Sequence, residues 1–186
     1  MYIFGYGSLL WYTDFDYVEA VPGVVSDYVR RFWQLSPDHR GTPDSPGRVV
    51  SLVKQKGGKT WGMAYKIPDE AIESTLAYLN YRERAGYKRE QVSGNANSTD
   101  ENEIVNTILM CRGNSGSNLE YALRLADCQR RLAPHHRDEH LFEIETRLLK
   151  ACEKARVEDE ILRQLDYKLN YLIEKIQHKV GSYAST

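Results

Sequence analysis

Cysteine is scarce in this chain of 186 residues. Cys111, Cys128 and Cys152 are odd in number, far apart and form no C-x-x-C pair. That excludes a disulfide framework and predicts free thiols in a reducing compartment. No block of like charge stands out either: 25 lysines and arginines face 26 aspartates and glutamates. The longest basic runs are pairs, so the electrostatic footprint of a nucleic-acid binder is missing. No apolar run approaches the ~20 residues that span a bilayer. The opening Met1-Tyr2-Ile3-Phe4-Gly5 has neither a basic n-region nor a small-residue cleavage site. The expectation is a cytoplasmic protein that engages neither membrane nor nucleic acid.

What is there reads as strands first and helices after. Tyr2-Ile3-Phe4 suits a buried strand ended by the flexible Gly5-Tyr6-Gly7-Ser8. Further strand candidates cover 18–25, 31–35, 48–53 and 60–66, rich in β-branched and aromatic residues. Three prolines and two glycines make 36–47 a loop, and Gly57-Gly58 signals a hairpin turn. Ile72, Leu76 and Leu79 give 70–80 a helical spacing. Gln91-Val92 and 104–110 return to a strand pattern around a polar loop, 93–103. From 117 the texture is helical: Ser117 and Glu120 have the spacing of a capping box, Pro134 should stop that helix, and a second covers 138–155. Beyond it Leu162, Leu165, Leu169, Leu172 and Ile176 recur three and four apart, as in a coiled-coil seam. That stripe serves either a homodimer through the C-terminal helix or docking on the chain's own body. The fold class is α+β, with one domain over 1–150 and a helical extension over 151–186.

Several motifs invite chemistry. Gly5-Tyr6-Gly7-Ser8 follows a strand but lacks the third glycine of a dinucleotide fingerprint, since Leu10 stands there, and no P-loop spacing follows. A glycine-rich turn lets backbone N–H groups approach a ligand, or is simply a tight turn. His136 and His140 fit H-x-x-E-H, which on one helix would place two imidazoles together for a metal. Pro134 puts His136 at or before the first helical turn, so no metal site is expected. Glu83, in Tyr81-Arg82-Glu83-Arg84, reads in isolation as a solvated glutamate between two arginines.

A longer pattern changes that reading. Phe4-Gly5-Tyr6-Gly7-Ser8-Leu9 with Trp11 resembles the opening of the ChaC family of glutathione-specific γ-glutamylcyclotransferases. Arg31-Phe32-Trp33-Gln34, Asp38-His39-Arg40-Gly41 and Pro46-Gly47-Arg48-Val49 continue the likeness. So do Trp61-Gly62, Tyr78-Leu79-Asn80-Tyr81-Arg82-Glu83 and Ser115-Gly116-Ser117-Asn118-Leu119-Glu120-Tyr121, and Asp138-Glu139-His140-Leu141 closes it. The likeness spans about residues 2–150. It implies a small mixed β-barrel with flanking helices, and cleavage of glutathione to 5-oxoproline and cysteinylglycine without metal or cofactor. It also implies a substrate loop of Ile3, Phe4, Gly5, Tyr6, Gly7 and Ser8, and Glu83 as proton acceptor. Tyr121 and Arg48 are further candidates. The alternatives are a cyclotransferase for other γ-glutamyl amines and a non-catalytic binding module. The chain departs from the family where Ile108–Cys111 leads almost directly into Gly113-Asn114-Ser115, which predicts a pocket short of its far wall and a high KM.

Overall fold

The computed structural model describes residues 1–84 and 99–172, without the side chains of 80–84. The sequence's four middle strand segments merge into two long ones, β2 (Glu19–Ser36) and β3 (Gly47–Lys66), joined by the proline-rich loop 37–46. They form one antiparallel hairpin running from Ser36 opposite Gly47 to Glu19 opposite Lys66. β1 (Tyr2–Gly5) adds to the far side of β3, with Tyr2 opposite Lys66 and Gly5 opposite Met63. The sheet order is therefore β1-β3-β2. Pro22 is tolerated because β2 is an edge strand.

Two irregularities bend the hairpin. Gly57-Gly58 is not the expected hairpin turn. It lies in a bulge of β3 opposite Asp27, where Asp27 has φ 62°, Gly57 has φ 76°, and Gly57 N–H donates to Asp27 Oδ1 at 2.7 Å. The glycine supplies the left-handed backbone while both strands carry on. A second bulge falls between Arg31 and Gln34. It contains Phe32, whose N–H donates to His140 Nε2 at 3.2 Å.

The helices are α1 (Ile72–Arg84), α2 (Glu101–Met110), α3 (Asn118–Leu132), α4 (Glu139–Ala155) and the five-residue α5 (Glu160–Gln164). A two-residue ribbon, β4 (Arg112–Gly113) with β5 (Gly116–Ser117), links α2 to α3. The strand expected over 104–110 is the helix α2. Asp100 caps it by accepting from Asn102 N–H at 2.8 Å, and Ile104, Val105 and Ile108 are buried at helical spacing. The capping box of α3 is half formed: Ser117 Oγ accepts from Glu120 N–H, but the Glu120 carboxylate turns to Arg40 and Arg124. The strand expected at Gln91-Val92 lies outside the described residues.

The expected barrel is not closed among the described residues. The hairpin consumes four of the anticipated strands, α2 replaces another, and β1 and β2 remain as two edges of an open sheet. The α+β class holds. One hydrophobic core joins Phe32 and Val50 of the sheet to Ile108 of α2, Leu123 of α3 and Leu148 of α4, all essentially inaccessible.

The leucine stripe is not one helical seam. α5 ends at Gln164, and Leu165-Asp166 turns with Asp166 at φ 55°. Leu162 and Leu172 are buried in the core cluster, and Leu165 and Leu169 pack against it. Ile176 lies outside the described residues. Among the described residues no helix is long and apolar enough to cross a membrane.

Candidate active site

β1 runs straight into the glycine turn. Ser8–Leu10 forms a short 3-10 turn in which Leu10 N–H donates to Gly7 O (3.0 Å) and Trp11 N–H to Ser8 O (3.1 Å). Such a turn leaves the N–H groups of Ser8 and Leu9 without an intrahelical acceptor. Space dictates the glycines. A Cβ on Gly5 would stand 2.7 Å from Leu9 Cβ, and one on Gly7 would meet the Tyr121 hydroxyl at 3.1 Å.

The turn forms one wall of a cavity of about 760 Å³, with Ile3, Phe4, Tyr6, Gly7 and Ser8 all lining it. Gly5 does not line it and acts by letting the turn fold back on Leu9. Tyr121 stands in the middle. Its hydroxyl accepts from Val50 N–H at 3.3 Å, and its ring meets Trp11 and Phe32 edge-on at 5.6 and 6.3 Å. Burial pushes its hydroxyl well above the ordinary tyrosine range, so it is a neutral donor and not a base.

Arg48, by contrast, is structural. It is almost fully buried, bonds Trp33 O and Glu103, and does not line the cavity. Asn118 grips its backbone from both sides, accepting from Arg48 N–H at 2.5 Å and donating to Arg48 O at 2.7 Å.

α1 closes another side through Tyr78 and Leu79, and the Tyr78 hydroxyl bonds to Asp14, which also lines the cavity. Glu83 follows Leu79 by four residues, the spacing that shares a helix face. The Glu83 side chain lies outside the described residues.

The end of β2, the loop 37–46 and the turn of the β4–β5 ribbon supply Ser36, His39, Arg40 and Ser115 to another wall. Asn114 N–H and Ser115 N–H donate to Asp38 O and His39 O at 2.9 and 3.0 Å, and Ser115 Oγ lies 3.0 Å from His39 Nδ1. The segment expected to leave the wall short, Cys111–Asn114, does not line the cavity, whereas Ser115 just after it does. Sequence reasoning did not single out His39, Arg40, Asp14 or Ser115 as site residues. The signal available was a cluster of charged and polar residues, Asp38-His39-Arg40, inside a proline-rich loop.

The H-x-x-E-H pair is not on one helix. α4 begins at Glu139, His136 precedes it in a turn, and His140 Nε2 is occupied as an acceptor for Phe32 N–H. Burial, reinforced by Arg31 and opposed by Asp138, lowers the His140 imidazole to about 4. Between about 4 and the usual ~6.5 the unfolded chain therefore holds a proton that the folded chain does not. This contribution to stability is complete above pH ~6.5 and is lost as pH falls towards 4. His140→Gln keeps an acceptor for Phe32. Its melting temperature is expected to fall less steeply over that window than that of the unaltered protein. Parallel curves in calorimetry would show that His140 does not titrate this way.

An open α+β sheet flanked by helices thus sets a glycine turn against a mostly apolar cavity with a few polar groups, Asp14, His39 and Arg40 among them. A family model described as ChaC-like protein matches residues 1–109 and 94–151. The human glutathione-specific gamma-glutamylcyclotransferase 1 is 41% identical over 169 residues, covering 77% of this chain and 76% of the relative. The glutathione-specific gamma-glutamylcyclotransferase of Schizosaccharomyces pombe is 33% identical over 194 residues, covering 84% and 96%. A crystal structure of the yeast γ-glutamyl cyclotransferase specific to glutathione superposes with TM-score 0.69 at 25% identity, covering 81% of this chain and 96% of that one. The chain belongs to the ChaC-like family. The human alignment is longer than the part of this chain it takes up, so a block of the relative has no counterpart here. The two matched stretches overlap at 94–109.

Proposed function

We propose that this protein cleaves glutathione to 5-oxoproline and cysteinylglycine. The observation that carries the reading is the glycine turn lining a substrate-sized cavity in a chain 41% identical to the human glutathione-specific enzyme. The substrate supplies its own nucleophile. Its α-amine attacks the γ-carbonyl carbon, a C–N bond closes the five-membered lactam, and the amide C–N bond to cysteine breaks. The ammonium loses two protons in becoming the lactam N–H; one passes to the leaving nitrogen as the amide bond breaks, and the resulting amine takes up the second to end as an ammonium. Intramolecular attack in a well-oriented chain corresponds to effective molarities of ~10^5–10^8 M, so much of the catalysis lies in folding the glutamyl group correctly.

In this reading Ile3–Ser8 hold the γ-glutamyl group, and Glu83 takes the proton and returns it. The register of Glu83 with Leu79, which lines the cavity, supports that role. N–H groups of the turn donate to the oxyanion that develops on the γ-carbonyl. Tyr121, held protonated and directly against Gly7, is a second donor. The three free thiols support a cytoplasmic location.

Incubating purified protein with glutathione should release 5-oxoproline and cysteinylglycine in equal amounts, with the rate unchanged by EDTA. Release from γ-glutamyl-lysine but not from glutathione would move the substrate to other γ-glutamyl amines. Binding of glutathione without release would mark a binding module. Loss of activity in EDTA, restored by zinc, would assign a metal a role.

A further inference from the structure

The wall built by the loop 37–46 brings one buried guanidinium to the cavity. Among the described residues lining the cavity, Arg40 holds the only permanent positive charge. It is 7% exposed, and burial of its guanidinium is costly. Arg40 Nη1 donates to Ser117 O at 3.0 Å and to Glu120 Oε2 at 3.2 Å, and its Cζ lies 5.4 Å from the centre of the Tyr121 ring. Glu120 is not its private counter-ion. Its other oxygen takes Arg124 Nε at 2.8 Å, so two guanidiniums share one carboxylate and the group keeps one net positive charge.

The backbone is held as firmly as the side chain. Arg40 N–H donates to Ser36 Oγ at 3.1 Å, and a Cβ on Gly47 would stand 2.2 Å from Arg40 O. His39 and Ser115 line the same cavity and offer further hydrogen-bonding groups to a ligand there.

Tyr121 separates the two walls, with its hydroxyl against Gly7 and its ring against Arg40. An extended dipeptide reaches about 7 Å, the scale of a tyrosine side chain. If the turn takes the γ-glutamyl end, the leaving dipeptide extends towards Arg40.

We propose that Arg40 receives the glycine carboxylate of glutathione, so that this wall selects γ-glutamyl substrates whose leaving half carries a carboxylate. The inference rests on the proposed function and goes beyond it by assigning the specificity to one residue. Nη1 is already engaged, and a carboxylate would pair with the remainder of the planar fork that lysine lacks.

The test compares glutathione with its glycine monoethyl ester, which keeps the glutamyl carboxylate and removes only the glycine charge. With the unaltered protein, KM for the ester should be about 10- to 100-fold higher, with kcat within a few-fold, as loss of a charge-assisted contact made in ground and transition states requires. In Arg40→Met, KM for glutathione should rise by a similar factor while that for the ester barely moves, and Arg40→Lys should fall between. Equal KM values for the two substrates with the unaltered protein would overturn the proposal without any variant having to fold. So would an Arg40→Met that weakens both substrates equally, which would assign Arg40 to the glutamyl end or to holding Ser117 and Glu120. If neither substrate yields 5-oxoproline, the proposed function fails. In that event thermal stabilisation by glutathione against its ester still decides the role of Arg40.

Discussion

Glu83→Gln is expected to lower kcat for glutathione by about 10^2- to 10^4-fold while KM stays within a few-fold. The amide has the shape of the carboxylate but cannot accept the ammonium proton or return it to the leaving nitrogen. The groups proposed to hold the substrate's two carboxylates, the glycine turn and Arg40, are untouched, so binding should persist. Folding should persist too, because position 83 lies in the last turn of α1. The check is single-turnover release of 5-oxoproline beside a thermal melt of the same preparation. A variant within a few-fold of the original rate would remove Glu83 from the mechanism, and a lowered melting temperature would show that it acts on the fold.

The second large effect lies far from the cavity. Truncation after Lys154 would remove Ile161, Leu162, Tyr171 and Leu172 from the core cluster. It would also break the hydrogen bond from the Tyr167 hydroxyl to Glu145 and that from Arg124 to Gln164. The truncated chain is expected to be poorly soluble or to melt far below the full chain. Leu162→Ala gives the graded version. Leu162 is fully buried, so a loss of about 2–5 kcal/mol is expected, which for a chain of this size lowers the melting temperature by roughly 5–20 °C. Light scattering separates the two uses of the tail. A dimer that becomes an active monomer on truncation would assign the stripe to self-association. A monomer that only loses stability assigns it to the core, as the burial of Leu162 and Leu172 supports. A truncated chain with unchanged melting temperature would contradict both.

Local rules carried the sequence reading furthest where one residue decides the outcome. Ser117 begins α3 because its side chain satisfies a free backbone donor there, and α3 ends at Leu132, before Pro134. The glycine turn was legible from its two glycines, of which Gly5 has no room for a side chain and Gly7 has little. Other elements depend on partners distant in sequence. The β-branched residues of 104–110 suit strand or helix, and their burial on α3 and α4 decides for helix. Gly57-Gly58 reads as a hairpin turn until β2 pairs across the loop 37–46 and makes it a bulge. The break at Asp166 needs a left-handed aspartate that no spacing announces. The polar wall was least legible of all, because Arg40 meets Ser117 only after about eighty intervening residues have folded.

β1 is four residues long and pairs with β3 alone, through four positions at the edge of the sheet. The interior of β3, between β2 and the helices, is held from several sides. Release of β1 from the sheet therefore involves far fewer contacts than global unfolding, and sub-global openings of this kind set the exchange of edge amides. Since the glycine turn, the proposed substrate loop, is the direct continuation of β1, each such opening takes it apart while the core remains folded. Catalytic competence and structural integrity are thus governed by two different free energies in this molecule, and mild denaturant should silence the enzyme while its core amides are still protected from exchange.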